Sequence, residues 1–422
     1  MEIKEYDMKS YKLHILKSDK VKKCHMEVHF KNDVNKDTIF YRSMLTDILS
    51  DCSKKYKSRK EVVIELENLY KATFYGTATK IGNVVDNIFV CEFINPKFIS
   101  DKNYLEDVIK LPIEMILNPL VENEEFDKKI FEVIKSRAYR DVISIKENPV
   151  KLAISNSLTF MDSDSNSSIS VLGSEEDVIG STSKKLYEEY VSMINNDICD
   201  VYVIGDIDFD LVYHVIDKYF KIDTIKSNKL DLHVKNNTVR KHKELEEDSS
   251  FVQSNLNLVY NLRDLTEYER NIVMGVYNYI LGSGGMSSKL YRSVREKNSL
   301  CYGVYSLYLK YDGLLIVQVS LDEVNRKKAI SLIKNSFKDM QKGKITKDEL
   351  DDAIFNLVLS LKMALDSNIS ILSNYIFNKI DNLPPIEERI KLISNVSLKD
   401  IKTISKKIKL NSIYTLKGGI SK

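Results

Sequence analysis

The alternation of apolar and polar positions opens the chain with two strands. Tyr11 to Leu16 and Lys22 to Phe30 follow a period of two and are joined by a short polar turn at Ser18 to Lys20. In the second strand Cys24, Met26, Val28 and Phe30 form the apolar face, which leaves His25 and His29 on a polar outer face. Residues four apart along a strand are separated by roughly 13 Å, too far to share one metal ion. The period then turns helical over Thr38 to Leu49, with Ile39, Leu45, Ile48 and Leu49 inward, and over Arg59 to Lys71. Strands at Thr73 to Thr79 and Val84 to Phe93 follow, then helices over Asp101 to Leu117 and Glu124 to Ile145. Asn118-Pro119 divides those helices because proline cannot continue the first. A polar loop at Asp162 to Ser168 leads to a helix over Ser181 to Ile194, a buried strand Val201 to Ile204 stopped by Gly205, and a helix over Phe209 to Phe220.

The pattern lapses over Thr224 to Ser250, where a basic run, Arg240 to Lys243, meets an acidic one, Glu244 to Asp248. Mixed-sign charge of this kind reads as a solvated linker between two folded halves. The second half then repeats the first. Glu65 to Phe93 is echoed by Arg292 to Leu321, with Tyr75-Gly76 and Tyr302-Gly303 as the shared pair, and Glu175 to Gly205 is echoed by Glu387 to Gly418. A chain of 422 residues also exceeds the size at which one core keeps growing. The expectation is an α+β protein of two tandem homologous domains, each a mixed or antiparallel sheet packed with helices: residues 1–224, a charged linker 225–250, and residues 251–422.

Composition narrows the function classes. With 43% hydrophobic and 29% charged residues the chain has enough apolar material for full cores, and 63 Lys+Arg against 61 Asp+Glu gives no basic face for nucleic acid. The cysteines Cys24, Cys52, Cys91, Cys199 and Cys301 are scattered and never in C-x-x-C spacing, as in a reducing compartment. No run reaches the ~18 apolar residues of a membrane span, and the opening residues lack an apolar signal core. A cytoplasmic protein without membrane or nucleic-acid partners is expected.

The stretch most loaded with candidate chemistry is Leu281 to Gly303. Gly282, Gly284 and Gly285 break an apolar helix ending near Ile280 and give a loop whose backbone can lie against another chain. Ser287 or Ser288 caps the next helix, where Leu290, Tyr291 and Val294 recur and Arg292 and Arg295 share the other side. Leu300 to Leu309 and Leu314 to Leu321 form a hairpin around Asp312-Gly313. No phosphate-loop or dinucleotide glycine spacing is met.

The residues Gly284, Gly285, Ser287, Arg295, Glu296, Lys297, Leu300 and Tyr302 reproduce the G-G-x-S loop, R-E-K helix end and L-x-Y strand of the pitrilysin, insulinase and mitochondrial processing peptidase family, and the chain resembles that family over nearly its whole length. The resemblance implies a clamshell of two like domains. It also implies that Arg295 and Tyr302, spaced R-x₆-Y, hold a substrate backbone and stabilise the developing oxyanion. Family members that cleave carry an H-x-x-E-H motif on an early helix, two histidines one turn apart on a zinc ion and a glutamate as general base. Aligned on Glu65, Leu66 and Leu69, that motif falls on Met44, Leu45, Thr46, Asp47 and Ile48, and the third ligand falls near Lys135 or Ser136. Met44 and Ile48 stand in the ligand places and Asp47 in that of the base. The histidines of residues 1–200, His14, His25 and His29, lie in the opening strands.

What this implies is a chain with no metal or other cofactor of its own, similar to the bacterial inactive members associated with elongation factor P modification. It resembles the non-catalytic subunit of a heterodimeric zinc peptidase, whose homologous partner carries the zinc and whose substrate is a peptide. The rival expectation is a structural or peptide-binding scaffold of the same fold, similar to the core subunits of respiratory complexes. An active homodimer would need ligands the sequence lacks.

Overall fold

In the computed structural model, which describes residues 2–223 and 230–419, the alternating segments form two sheets. The first holds β1 (Glu2–Asp7), β2 (Tyr11–Lys17), β3 (Lys23–Asp33), β4 (Thr73–Ile81), β5 (Val84–Ile94) and β8 (Ile198–Gly205), ordered β1-β2-β8-β3-β5-β4. The second holds β9 (Lys243–Asp248), β10 (Ser254–Leu262), β11 (Cys301–Leu309), β12 (Leu314–Leu321) and β13 (Ile408–Lys417), ordered β11-β12-β10-β13-β9. A two-residue pair, β6 (Val121–Glu122) and β7 (Glu125–Phe126), follows Asn118-Pro119 and turns the chain at Asn123-Glu124, both at positive φ.

The two orders are the same topology. An edge hairpin, β4-β5 or β11-β12, is followed by β3 or β10, then by β8 or β13 antiparallel to it, then by β2 or β9 parallel to that. The protein is therefore α+β with two homologous halves, and among the described residues β1 is the one strand of the first sheet with no counterpart.

Helices of the first half are α1 (Ile39–Asp51), α2 (Arg59–Asn68), α3 (Tyr104–Leu117), α4 (Lys128–Glu147), α5 (Pro149–Met161), α6 (Glu175–Ile179), α7 (Ser183–Asn196) and α8 (Phe209–Tyr219). In the second half α9 (Met274–Asn278) precedes α10 (Arg326–Lys342), α11 (Lys347–Met363), α12 (Asn368–Asp381), α13 (Ile386–Ser394) and α14 (Leu398–Ser405). Their starts are written locally. Ser58 accepts from Glu61 N, and Thr346 and Glu349 form a capping box.

The chain divides into two compact units. Unit 1 is Met1–Ile143, Ser170–Leu232 and Leu365–Ile376; unit 2 is Ser144–Ile169, His233–Ala364 and Phe377–Lys422. In unit 1 the apolar face of β3 packs with Leu45, Leu49, Val108 and Ile116. In unit 2 Leu256, Leu258 and Tyr260 of β10 pack with Val276, Leu290 and Ile333.

Three expectations from the sequence change. Within the expected linker, Lys243–Asp248 is a strand, β9, paired in parallel with β13; residues 224–229 lie outside the described residues. Its charges are tolerated because an edge strand needs only main-chain pairing, and all but Leu245 of its side chains are exposed. Residues 149–161, unread as a helix, form α5, with Asn148 accepting from Lys151 N at 3.0 Å and Pro149 in the first turn. α5 packs Met161 against Val259, Leu314 and Ile316, and Ala153 against Tyr414 and Leu416.

The third change concerns the polar face of β3, which is buried rather than outer. His29 is 3% exposed; its Nδ1 lies 2.8 Å from Asp86 Oδ2 and its Nε2 2.8 Å from Glu27 Oε2. His25 Nε2 faces Glu27 Oε1 at 2.6 Å, and Lys31 Nζ donates to Asp200 Oδ2 at 2.5 Å. His14 faces the same Asp200 at 3.3 Å and Tyr375 Oη at 2.9 Å, while Tyr375 donates to Glu5 at 2.8 Å. The residues 365–376 thus rest on a polar sheet face through Tyr375. Burial opposes ionisation of both His29 and Glu27. The Asp86 and Glu27 carboxylates nevertheless raise His29 to about 9, and the two histidines lower Glu27 to about 2.

Candidate functional site

The candidate site in unit 2 is built on an irregular helix. Thr266 and Glu269 cap it reciprocally, at 2.8 and 3.2 Å. Glu269–Val273 is π-helical, α9 is a normal helix, and Tyr279–Ser283 is π-helical again. A third π-helical turn, Tyr291–Glu296, follows the glycine loop. Such turns are well under 1% of residues in ordinary proteins and concentrate at functional positions.

The glycines have different reasons for being glycine. A Cβ on Gly282 would sit 2.5 Å from Ser306 Oγ and 2.8 Å from both Leu290 Cδ1 and Ser306 N; one on Gly284 would sit 2.7 Å from the Tyr279 carbonyl. Only Gly285, at φ +61°, has open space around it. The expectation that all three free the loop for another chain is corrected: two of them let this chain pack on itself. Ser288, of the two candidate caps, accepts from Tyr291 N at 3.4 Å, whereas Ser287 donates to the Gly284 carbonyl at 3.0 Å.

The π-helical turn ends with Lys297 N bonded to the Arg292 carbonyl at 3.0 Å, and Ser299, at φ +51°, swings the chain into β11. There the register slips. Cys301 pairs with Leu321 and Gly303 with Ser320, so Tyr302 is the extra residue of a bulge, and it is 76% exposed. Arg295 and Tyr302 line one cavity of about 420 Å³ with Gln253, Tyr291, Cys301 and Asp322. Burial pushes the Cys301 thiol up to about 11, with Arg295 opposing. Among the described residues neither the Arg295 guanidinium nor the Tyr302 hydroxyl has a hydrogen bond or ion pair, so both are available as donors. Arg292, expected on the same side of the helix as Arg295, donates to Glu349 at 3.2 Å.

The positions aligned with a zinc motif lie on α1 in unit 1. Met44 and Ile48 are each 1% exposed and belong to the apolar core. Asp47 is the one ionisable group of the three; burial raises it to about 6, with Arg137 opposing and Asp51 and Asp141 adding to the rise. Of the places expected for a third ligand, Lys135 donates to the carbonyls of Ile179 and Ser181, at 2.7 and 3.0 Å, and Ser136 to that of Glu132. The residue of α4 that reaches α1 is the next one, Arg137, whose Nη2 lies 3.0 Å from Asp51 Oδ2. A guanidinium therefore stands between these helices. Two core side chains, one carboxylate and a cation do not make a donor set for zinc. Among the described residues no group of three or more His, Cys, Asp or Glu is placed to hold a metal ion.

Three features escaped the sequence: the Arg137–Asp51 pair, the buried histidine face, and Tyr291 beneath Arg295. Only the last left a trace, the i, i+4 spacing of an aromatic and an arginine.

Residues 181–357, in a chain whose α+β fold is duplicated, match the family model described as Peptidase M16 inactive domain. Over 416 residues the chain is 27% identical to a Bacillus subtilis (strain 168) protein named "Probable inactive metalloprotease YmfF", covering 96% of this chain and 95% of that one. In fold it is similar to a conserved protein from Enterococcus faecalis V583, with TM-score 0.94 and 23% identity over the whole of both chains. A peptidase M16 inactive domain from Pseudomonas fluorescens also matches over both full chains, with TM-score 0.81 and 17% identity. No single helix among the described residues is long and apolar enough to cross a membrane.

Proposed function

We propose that this chain is the non-catalytic subunit of a heterodimeric zinc peptidase. A homologous partner bearing H-x-x-E-H supplies the metal and the general base. This chain closes the chamber and presents Arg295 and Tyr302 to the peptide being cut. The observation that carries the reading is that these two side chains meet in one cavity with their donors uncommitted, while the metal positions of α1 are filled by core residues. A guanidinium fork and a phenol both suit a peptide carbonyl as it becomes an oxyanion. β11 is a sheet edge, so an extended peptide has main-chain groups to pair with beside Tyr302. A cytoplasmic location belongs to the same proposal.

The test is reconstitution. Mixing the chain with an H-x-x-E-H homologue from the same source is expected to raise peptidase activity, and Arg295→Ala or Tyr302→Phe to lower the rate by about 10²- to 10³-fold. Activity equal in wild type and both variants would instead mark a scaffold.

A further inference from the structure

Arg292 and Arg295 are close on one helix, yet the fold uses them differently. Glu349, the carboxylate that α11 offers to this helix, is taken by Arg292 and by Lys289, at 3.2 and 3.0 Å. Arg295 has no such partner among the described residues; its guanidinium carbon lies 5.0 Å from the centroid of the Tyr291 ring. An exposed arginine explores many rotamers, and stilling it costs up to about 2 kcal/mol of side-chain entropy. A carboxylate would still it, but would also occupy the N–H fork that a peptide carbonyl needs. An aromatic face attracts the cation and leaves its in-plane N–H groups free.

We infer that Tyr291 is a positioning residue. Its ring holds the Arg295 guanidinium at the cavity beside Tyr302, with the donors directed to the backbone carbonyl of an extended peptide. The inference rests on the substrate-holding role proposed above. Both residues line the same cavity. They fall four apart within the π-helical turn Tyr291–Glu296, and the ends of that turn are fixed by Ser288 Oγ accepting from Tyr291 N and by the bond from Lys297 N to the Arg292 carbonyl.

The test reads the side chain and the ligand separately. In full-length chain labelled with ¹⁵N-arginine, the Arg295 Nε resonance, assigned by its loss in Arg295→Lys, reports the order of the guanidinium. A fluorescein-labelled, unstructured poly(Ala-Ser) peptide reports binding by anisotropy. In Tyr291→Leu the Nε order parameter is expected to fall below about 0.6 and the peptide Kd to rise about two- to fivefold. Tyr291→Phe, which keeps the ring, is expected to match wild type in both. Unchanged Arg295 order in Tyr291→Leu would overturn the positioning role whatever the peptide does. Lost order with equal peptide affinity in wild type, Tyr291→Leu and Arg295→Ala would overturn the substrate-holding role, and the inference with it.

Discussion

Each unit presses a helix against the edge strand of its sheet, and each needs a glycine at the crossing. In unit 1 the glycine is on the strand: a Cβ on Gly76 of β4 would sit 2.7 Å from the Thr46 carbonyl of α1. In unit 2 it is on the helix, where Gly282 meets Ser306 of β11. The same contact carries opposite surroundings. α1 is regular, its Met44 and Ile48 are core residues, and Asp51 is tied to Arg137. The helix of unit 2 is broken by π-helical turns and leads to an exposed tyrosine and an unpaired arginine. In unit 1 the positions aligned with the zinc motif, Met44 and Ile48, serve packing. The other unit has irregular backbone, whose Val273, Leu281 and Val294 still pack in the core, and beside it exposed donors without a partner among the described residues; a duplicated fold shows the difference against a common background.

The largest expected effect tests whether the crossings are equivalent. Gly76→Ala and Gly282→Ala each place a methyl group against backbone atoms, and each is expected to cost about 1–3 kcal/mol, with Tm lower by roughly 2–12 °C in calorimetry. Gly303→Ala, with nothing within 4 Å of its Cβ, serves as the control and should not shift Tm.

Next comes pH. The folded value of His29, about 9, lies above its ordinary 6.5. Its stabilisation is therefore fully present below pH ~6.5 and is lost as pH rises through about 9. Glu27, lowered to about 2, works the other way: its stabilisation is present above its ordinary 4.5 and is lost only as pH falls through about 2. Tm should fall between pH 6.5 and 9.5 in wild type, and by clearly less in His29→Gln.

The smallest effect contrasts two arginines. Arg137→Ala leaves Asp51 short of a partner at a partly exposed site and should cost about 1 kcal/mol in urea unfolding. Arg295→Ala removes an exposed side chain with no ion pair and should stay within about 0.5 kcal/mol. A larger loss in Arg295→Ala would mean that it holds the fold rather than a ligand.

Much of the architecture was legible because apolar periodicity and turn residues agree with the final elements, as in β2, β3, α1 and the β11-β12 hairpin. β9 was not, since KELEED carries no apolar alternation and its pairing comes wholly from the main chain. The polar face of β3 shows why. Alternation tells which residues share a face, but not whether another segment covers it, and here His14 meets Tyr375 from far along the chain. At the site, the R-x₆-Y spacing pointed to Arg295 and Tyr302 through a family likeness. That Gly282 and Gly284 are there for lack of room, and that Arg137 faces Asp51, depends on tertiary approach that no local pattern encodes.

The contrast between the units is tested most directly by zinc content. Purified chain, equilibrated with excess Zn²⁺ and dialysed, would be measured by inductively coupled plasma mass spectrometry. The expected result is zinc well below one per chain; one tightly retained zinc per chain would contradict the reading of α1 as a packed, metal-free helix.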